Sequence, residues 1–140
     1  MRCQEIMKKD VESVFPTDTV QVAAKRMRDK NVGFLPVCDE SKRVVGTLTD
    51  RDLTVRVLAD ASPPTTRVDE VMTREVVCCA PQDDLEDAEE LMAKNQKSRI
   101  MCLDTKGQLV GIISLSDIAE KDESKASSTL RQVAERESRA

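Results

Sequence analysis

Apolar runs and stretches of helical period alternate along this chain in an order that occurs twice. Val11 to Val14 is a short apolar run with Pro16 two residues beyond it, as strands often end. Asp18 offers an acidic helix start, and Val20, Ala23, Ala24 and Met27 follow at helical spacing. Phe34 to Cys38 and Val44 to Leu48 then flank the polar turn DESKR, and a helix over Asp50 to Leu58 closes the unit. The second pass runs through Val76 to Cys79, Asp83-Asp84, then Leu85, Ala88, Leu91 and Met92 at helical spacing. Ile100 to Leu103 and Leu109 to Ile113 flank DTKGQ, and Leu115 to Ala119 begins the last helix. The pattern predicts strand, helix, strand, strand, helix in each half: an α/β (α+β) chain of two β-α-β-β-α repeats.

The agreement goes beyond pattern. GTLTDRDL starts at Gly46 and GIISLSDI at Gly111, an offset of 65. The same offset, without a gap, pairs Glu5 with Glu70, Met7 with Met72, Val11 with Val76, Pro16 with Pro81 and Asp18 with Asp83. It also pairs Ala23 with Ala88, Met27 with Met92, Asp39 with Asp104, Val45 with Val110 and Asp52 with Asp117. The chain is a tandem duplication. ASPPTT, Ala61 to Thr66, reads as the connector, since Pro63-Pro64 suits neither helix nor strand. The organisation expected is a first repeat over 1–60, a linker over 61–66, a second repeat over 67–121 and a charged tail over 122–140. Leu130 and Val133 are isolated apolar positions in that tail, which is expected to be a solvated helix or disordered.

Charge and composition remove several functions. Twenty-two Lys and Arg against 26 Asp and Glu leave a net charge of −4, and Phe15 and Phe34 are the only aromatics. A basic face and stacking platforms for nucleic acid are both missing. No apolar run approaches the roughly 20 residues that cross a bilayer, so no membrane partner is expected. MRCQEIMKKD has no apolar signal-peptide core, and a cytoplasmic location is the expectation. Five irregularly spaced cysteines without a CxxC pair, and no histidine, argue against a disulfide framework, a zinc site or a nucleophile with an imidazole base. The chain is therefore not expected to be an enzyme. Cys38, Cys78, Cys79 and Cys102 lie in apolar strands and read as inert core thiols, whereas Cys3 reads as exposed and oxidisable. Met7, Met27, Met72 and Met92 repeat with the duplication and read as core.

The repeated G-x-x-[ST]-x-x-D carries the candidate chemistry. Its hydroxyl closes a strand and its aspartate falls in the first turn of the next helix. Unpaired N–H groups there suit a phosphate, Thr49 or Ser114 adds a hydroxyl, and Asp52 or Asp117 offers two oxygens to a vicinal ribose diol. The same spacing also makes a capping box that needs no ligand. On spacing alone both readings stand.

With V71-M72-T73 and N31-V32-G33-F34-L35-P36-V37, the two motifs resemble a tandem pair of cystathionine-β-synthase-type (CBS) domains, the Bateman module, over about residues 5–120. The resemblance implies two repeats packed sheet to sheet about a pseudo-twofold axis, with clefts that take AMP, ADP, ATP or S-adenosylmethionine as ligand, and no required cofactor. It implies that Asp52 and Asp117 hold ribose hydroxyls and that Thr49, Ser114 and Ser116 meet ribose or phosphate. Gly33, Phe34, Ser98 and Arg99 would meet adenine or phosphates, with Val14 and Cys79 walling the base. Arg99 is the preferred phosphate anchor, since a guanidinium can grip two phosphate oxygens; an ordinary surface arginine is the alternative. Lys94 and Lys97 read as solvated helix-end charges. Two departures stand out: Met101 replaces Pro36, and Arg51 occupies the place of Ser116. The implied function is regulatory: a stand-alone nucleotide sensor that signals through conformation or assembly, as a homodimer with an unidentified protein target. Leu53, Val57 and Leu58 are the expected dimer contacts. The alternative is a ligand-free interaction or structural module whose motifs only cap helices.

Overall fold

The computed structural model describes residues 1–121 and 129–135. It resolves into two compact units, one formed by Glu12–Val76 and the other by Met1–Val11 together with the chain from Val77 onward. Each repeat thus sends its leading segment into the other repeat's unit: residues 1–11 pack with the second half of the chain, and the segment ending at Val76 packs with the first.

In the Glu12–Val76 unit, helix α1 (Val20–Lys30) is capped by Thr19, whose hydroxyl accepts the Val22 N–H at 3.2 Å. Asp18, the expected acidic start, instead accepts the Phe15 N–H at 2.9 Å and closes the turn before the helix. The helix ends at Asn31, which takes a left-handed φ of 54°. Strands β1 (Phe34–Cys38) and β2 (Val44–Thr49) form an antiparallel hairpin, with Phe34 opposite Thr49 and Leu35 opposite Leu48. The expected strand at Val11 to Val14 is reduced to one parallel bridge, Val14 to Val37. Val14 donates to the Pro36 carbonyl and accepts from the Cys38 N–H. The next rung would need an N–H from Pro36, which has none, so the ladder stops. On the other side of the hairpin Thr47 and Thr73 exchange two 2.9 Å backbone bonds. Val14, Val20, Ala23, Met27, Leu35, Val37, Leu48, Val68, Val71 and Met72 make the core.

After β2 comes one α turn, α2 (Asp50–Asp52), and then a π-helical run, Leu53–Leu58. Leu53 and Val57 pack against the unit's own core, whereas Val55 (47%) and Leu58 (76%) are exposed. Of the three expected contact residues, Leu53 and Val57 are thus partly buried against their own unit, and Leu58 is exposed.

The other unit repeats the plan. Strand β3 (Cys78–Cys79) runs parallel to β4 (Arg99–Leu103), which pairs antiparallel with β5 (Leu109–Ser114). Helices α3 (Leu85–Asn95) and α4 (Leu115–Lys121) follow β3 and β5. Lys8 and Ile112 exchange two 2.9 Å bonds, the counterpart of Thr73 with Thr47. Its core of Cys3, Cys79, Leu85, Ala88, Met92, Ile100, Cys102, Ile113 and Ile118 occupies the positions 65 residues from the first core's or, for Ile118, from Leu53. Residues 129–135 are helical and bury Thr129 and Val133 while exposing Leu130, so this part of the tail is not merely solvated. The remainder of the expected tail lies outside the described residues. Among the described residues, no helix is long and apolar enough to cross a membrane.

Candidate functional site

Both motifs begin with a close approach that excludes a side chain. A Cβ on Gly46 would lie 2.8 Å from Met72 Sδ and 2.8 Å from the Thr73 carbonyl oxygen; one on Gly111 would lie 2.6 Å from Met7 Sδ. The methionine in each case belongs to the exchanged segment, so the glycine is the place where that segment presses onto the strand. Met7 and Met72 are thus packing residues, as their repetition suggested.

The hydroxyl and carboxylate form a reciprocal cap in both copies. Thr49 Oγ1 accepts the Asp52 N–H at 3.1 Å, and Asp52 Oδ2 accepts the Thr49 N–H at 2.9 Å. Ser114 Oγ accepts the Asp117 N–H at 3.3 Å, and Asp117 Oδ2 accepts the Ser114 N–H at 2.8 Å. Such a box is worth about 0.5–2 kcal/mol without any ligand. It uses only one oxygen of each carboxylate. The other, Oδ1, faces a cation: Arg56 Nε at 3.8 Å from Asp52, and Lys8 Nζ at 3.2 Å from Asp117.

The start of the first strand of each hairpin brings further expected residues to the motif. In the first repeat the Gly33 carbonyl accepts the Asp50 N–H at 3.0 Å and Phe34 stands opposite Thr49. A Cβ on Gly33 would sit 2.7 Å from Asp50 Oδ2. In the second repeat Leu115 replaces Asp50 and Ser98 replaces Gly33; the Ser98 carbonyl accepts the Leu115 N–H at 3.0 Å. Arg99 is exposed and stands opposite Ser114, whose hydroxyl lies 2.8 Å from that of Ser116. Gly33, Phe34, Thr49 and Asp52 therefore meet in one unit, and Ser98, Arg99, Ser114, Ser116 and Asp117 in the other.

Val14 and Cys79 do not join them. Val14 is 2% exposed and Cys79 8%, both as members of the cores, and Val14 pairs with Val37 rather than with the Phe34 end of β1. Their side chains offer no wall to a base in this conformation.

Cys3 is also corrected: it is fully buried, not exposed. Its thiol lies 3.7 Å from Cys79 Sγ, which lies 3.5 Å from Cys102 Sγ. Burial and neighbouring Cys79 push the Cys3 thiol up to about 12, and the contact with Cys102 together with burial pushes Cys79 up as well. Burial likewise raises Cys38 and Cys78. Thiolates are the reactive form, so these thiols are held in their unreactive one. The three touching cysteines occupy the positions of Val68, Val14 and Val37 in the first core.

Lys8 and Arg56 had not been singled out. Arg56 was legible, lying four residues after Asp52 at a spacing that faces side chains on a helix. Lys8 had no local signal, because it reaches Asp117 only through the exchange of segments.

The CBS domain family matches residues 3–59 and 68–124, and the chain belongs to that family. It is 40% identical over 116 residues to the CBS domain-containing protein YhcV of Bacillus subtilis, covering 83% of this chain and 81% of that protein. Over 120 residues it is 38% identical to the inosine-5′-monophosphate dehydrogenase of Methanocaldococcus jannaschii, covering 86% of this chain but 23% of the enzyme. Among solved structures, it superposes with a TM-score of 0.76 and 25% identity on the CBS domain pair of protein MJ0100 in complex with 5′-methylthioadenosine and S-adenosyl-L-methionine. That match covers 86% of this chain and 94% of that one. The two-repeat CBS fold is thereby established.

Proposed function

We propose that this protein is a regulatory module that takes an adenosyl ligand, of the AMP, ADP, ATP or S-adenosylmethionine class, at its two motifs. The observation that carries this reading is the spare carboxylate oxygen. A motif kept only for capping needs one oxygen of Asp52 or Asp117, yet in both copies Oδ1 lies beyond the cap, on a cation. A ribose diol donates two hydroxyl hydrogens and suits that oxygen and its neighbours. The ligands held by the MJ0100 domain pair, both adenosyl compounds, support the same class. Thr49 and Asp52 with Gly33 and Phe34 would serve one ligand; Ser114, Ser116 and Asp117 with Ser98 and Arg99 the other.

The signal is a population shift: a ligand that favours one conformation or assembly draws the protein toward it, by no more than its difference in affinity. We read the module as a homodimer to which the Leu53–Leu58 run offers exposed Val55 and Leu58, acting in the cytoplasm on a protein target.

A second reading has its own support. Both capping boxes are complete without ligand, so an interaction module with empty sites fits the same hydrogen bonds.

Thermal-shift titration with AMP, ATP and S-adenosylmethionine separates the two. Asp52→Asn and Asp117→Asn keep an acceptor for the cap but lose the charge. Stabilisation of the parent that falls by about tenfold in apparent affinity in one or both variants supports the sensor, that being about one charge-assisted hydrogen bond. No shift with any of the three supports the empty module.

A further inference from the structure

The motif aspartates are covered by cations of different origin. At Asp52, the cation is Arg56, whose Nη1 also donates to the Val71 and Met72 carbonyls at 2.9 and 3.3 Å. That guanidinium is committed to the backbone of the exchanged segment. At Asp117 the cation is Lys8, which belongs to the exchanged segment itself. Lys8 is fixed at its backbone by two 2.9 Å bonds to Ile112, while its side chain is 66% exposed and, among the described residues, forms an ion pair with a carboxylate that is 5% exposed. The position 65 residues on from Lys8, which makes the same backbone exchange in the Glu12–Val76 unit, is Thr73, so this charge has no counterpart there.

We propose that Lys8 is the specificity-determining residue of the second motif, selecting an adenosyl ligand with an anionic 5′ group over a neutral or cationic one. The inference rests on the adenosyl reading of this site and goes further, naming the charge class. Asp117 Oδ2 already accepts the Ser114 N–H and Oδ1 faces Lys8, so a ribose that engages both oxygens meets the ammonium already there. A neutral nucleoside that takes Oδ1 weakens an ion pair and returns nothing to the lysine. A 5′-phosphate, carried on the same ribose, supplies a replacement anion, and the pinned backbone with a free side chain lets Lys8 turn to it. The sulfonium of S-adenosylmethionine puts like charge at the 5′ position instead, its carboxylate lying several bonds further out and beside an ammonium. The paired Ser114 and Ser116 hydroxyls, with Arg99 opposite Ser114, add donors suited to the same anion.

The test is Lys8→Thr, which installs the residue found at this place in the Glu12–Val76 unit, in an Asp52→Asn parent of the whole chain so that the second motif is read. Dissociation constants for AMP, 5′-methylthioadenosine and S-adenosylmethionine are measured by calorimetry. The parent should bind AMP more tightly than 5′-methylthioadenosine by about tenfold or more, one charge-assisted contact. Lys8→Thr should bring the two within about threefold, chiefly by weakening AMP, and Lys8→Arg should keep the preference. An AMP preference unchanged in Lys8→Thr, an equal loss for all three ligands, or a parent that prefers S-adenosylmethionine overturns the inference alone. If neither parent, Lys8→Thr nor the unsubstituted protein binds any of the three, the adenosyl reading falls and takes the inference with it.

Discussion

Where β1 carries Pro36, β4 carries Met101, and the neighbouring strand differs accordingly. Met101 donates to the Val77 carbonyl at 3.3 Å, and β3 has two paired residues; Pro36 cannot donate, and Val14 keeps a single bridge. The two units otherwise bury the same positions, 65 residues apart. What the duplication has kept is backbone: the glycine under a methionine, the reciprocal cap and the pinned exchanged segment. What it has let drift is charge and size around that backbone. Arg56 serves where Lys8 serves in the other copy, Arg51 stands for Ser116, and three valines stand for three thiols. Equivalent folds therefore need not take equivalent ligands.

The shared glycines give the sharpest test of this division. At Gly46 an added Cβ meets a backbone oxygen, that of Thr73, which is itself held in the two bonds with Thr47. At Gly111 the nearest atoms are Met7 Sδ, Cγ and Cβ, and the two closest can move by side-chain rotation. Gly46→Ala should cost about 3 kcal/mol and Gly111→Ala about 1, the two ends of the usual overpacking range. Urea unfolding midpoints check it. Equal costs would mean that the exchanged segment yields as readily as a side chain, and the distinction between kept backbone and drifting side chains would fail.

Much of this plan was legible from residues. The 65-residue offset and both hairpins follow from apolar runs; β1 coincides with its run and the other three hairpin strands differ by one residue at an end. The motif residues Thr49, Asp52, Ser114 and Asp117 were visible because their spacing is local. What was not legible is what depends on distant partners. Asp18 looks like a cap, yet its carboxylate serves Phe15 while Thr19 caps the helix. Cys3 looks exposed near a terminus but is buried against Cys79, and Lys8 meets Asp117 across more than 100 positions of sequence. No periodicity reports an exchange of segments, since the same apolar residues pack equally well in their own repeat on paper. Val14 and Cys79 come to the site only through the family resemblance, and the structure shows both buried in the two cores.

A second test exchanges the difference between the strands. Met101→Pro should remove the bond to Val77 and reduce β3 to a bridge, as in the first repeat. The cost should be about 2 kcal/mol, one backbone bond plus lost methionine volume. Amide exchange separates the two causes: faster exchange confined to Cys78, Cys79 and their neighbours marks the broken ladder, whereas protection lost throughout the unit would mean that Met101 matters as core and not as donor.

The smallest expected effect concerns the thiols. If Cys3, Cys79 and Cys102 only fill the places of Val68, Val14 and Val37, then replacing each with valine should cost less than about 1.5 kcal/mol, as shape-conserving core exchanges do. Their ionisation makes the result depend on pH. The folded protein holds the Cys3 proton up to about 12, whereas the unfolded chain releases it near the ordinary thiol value. Stability from this group is therefore complete below that ordinary value and is lost as pH rises through the interval up to about 12. Cys3→Val should remove that part of the alkaline loss, so the gap between unfolding midpoints at neutral and alkaline pH narrows. Native alkylation at neutral pH should leave all three thiols unmodified. Rapid modification of Cys3 would show that its segment leaves the unit readily, and would also make the Lys8 contact with Asp117 an intermittent one.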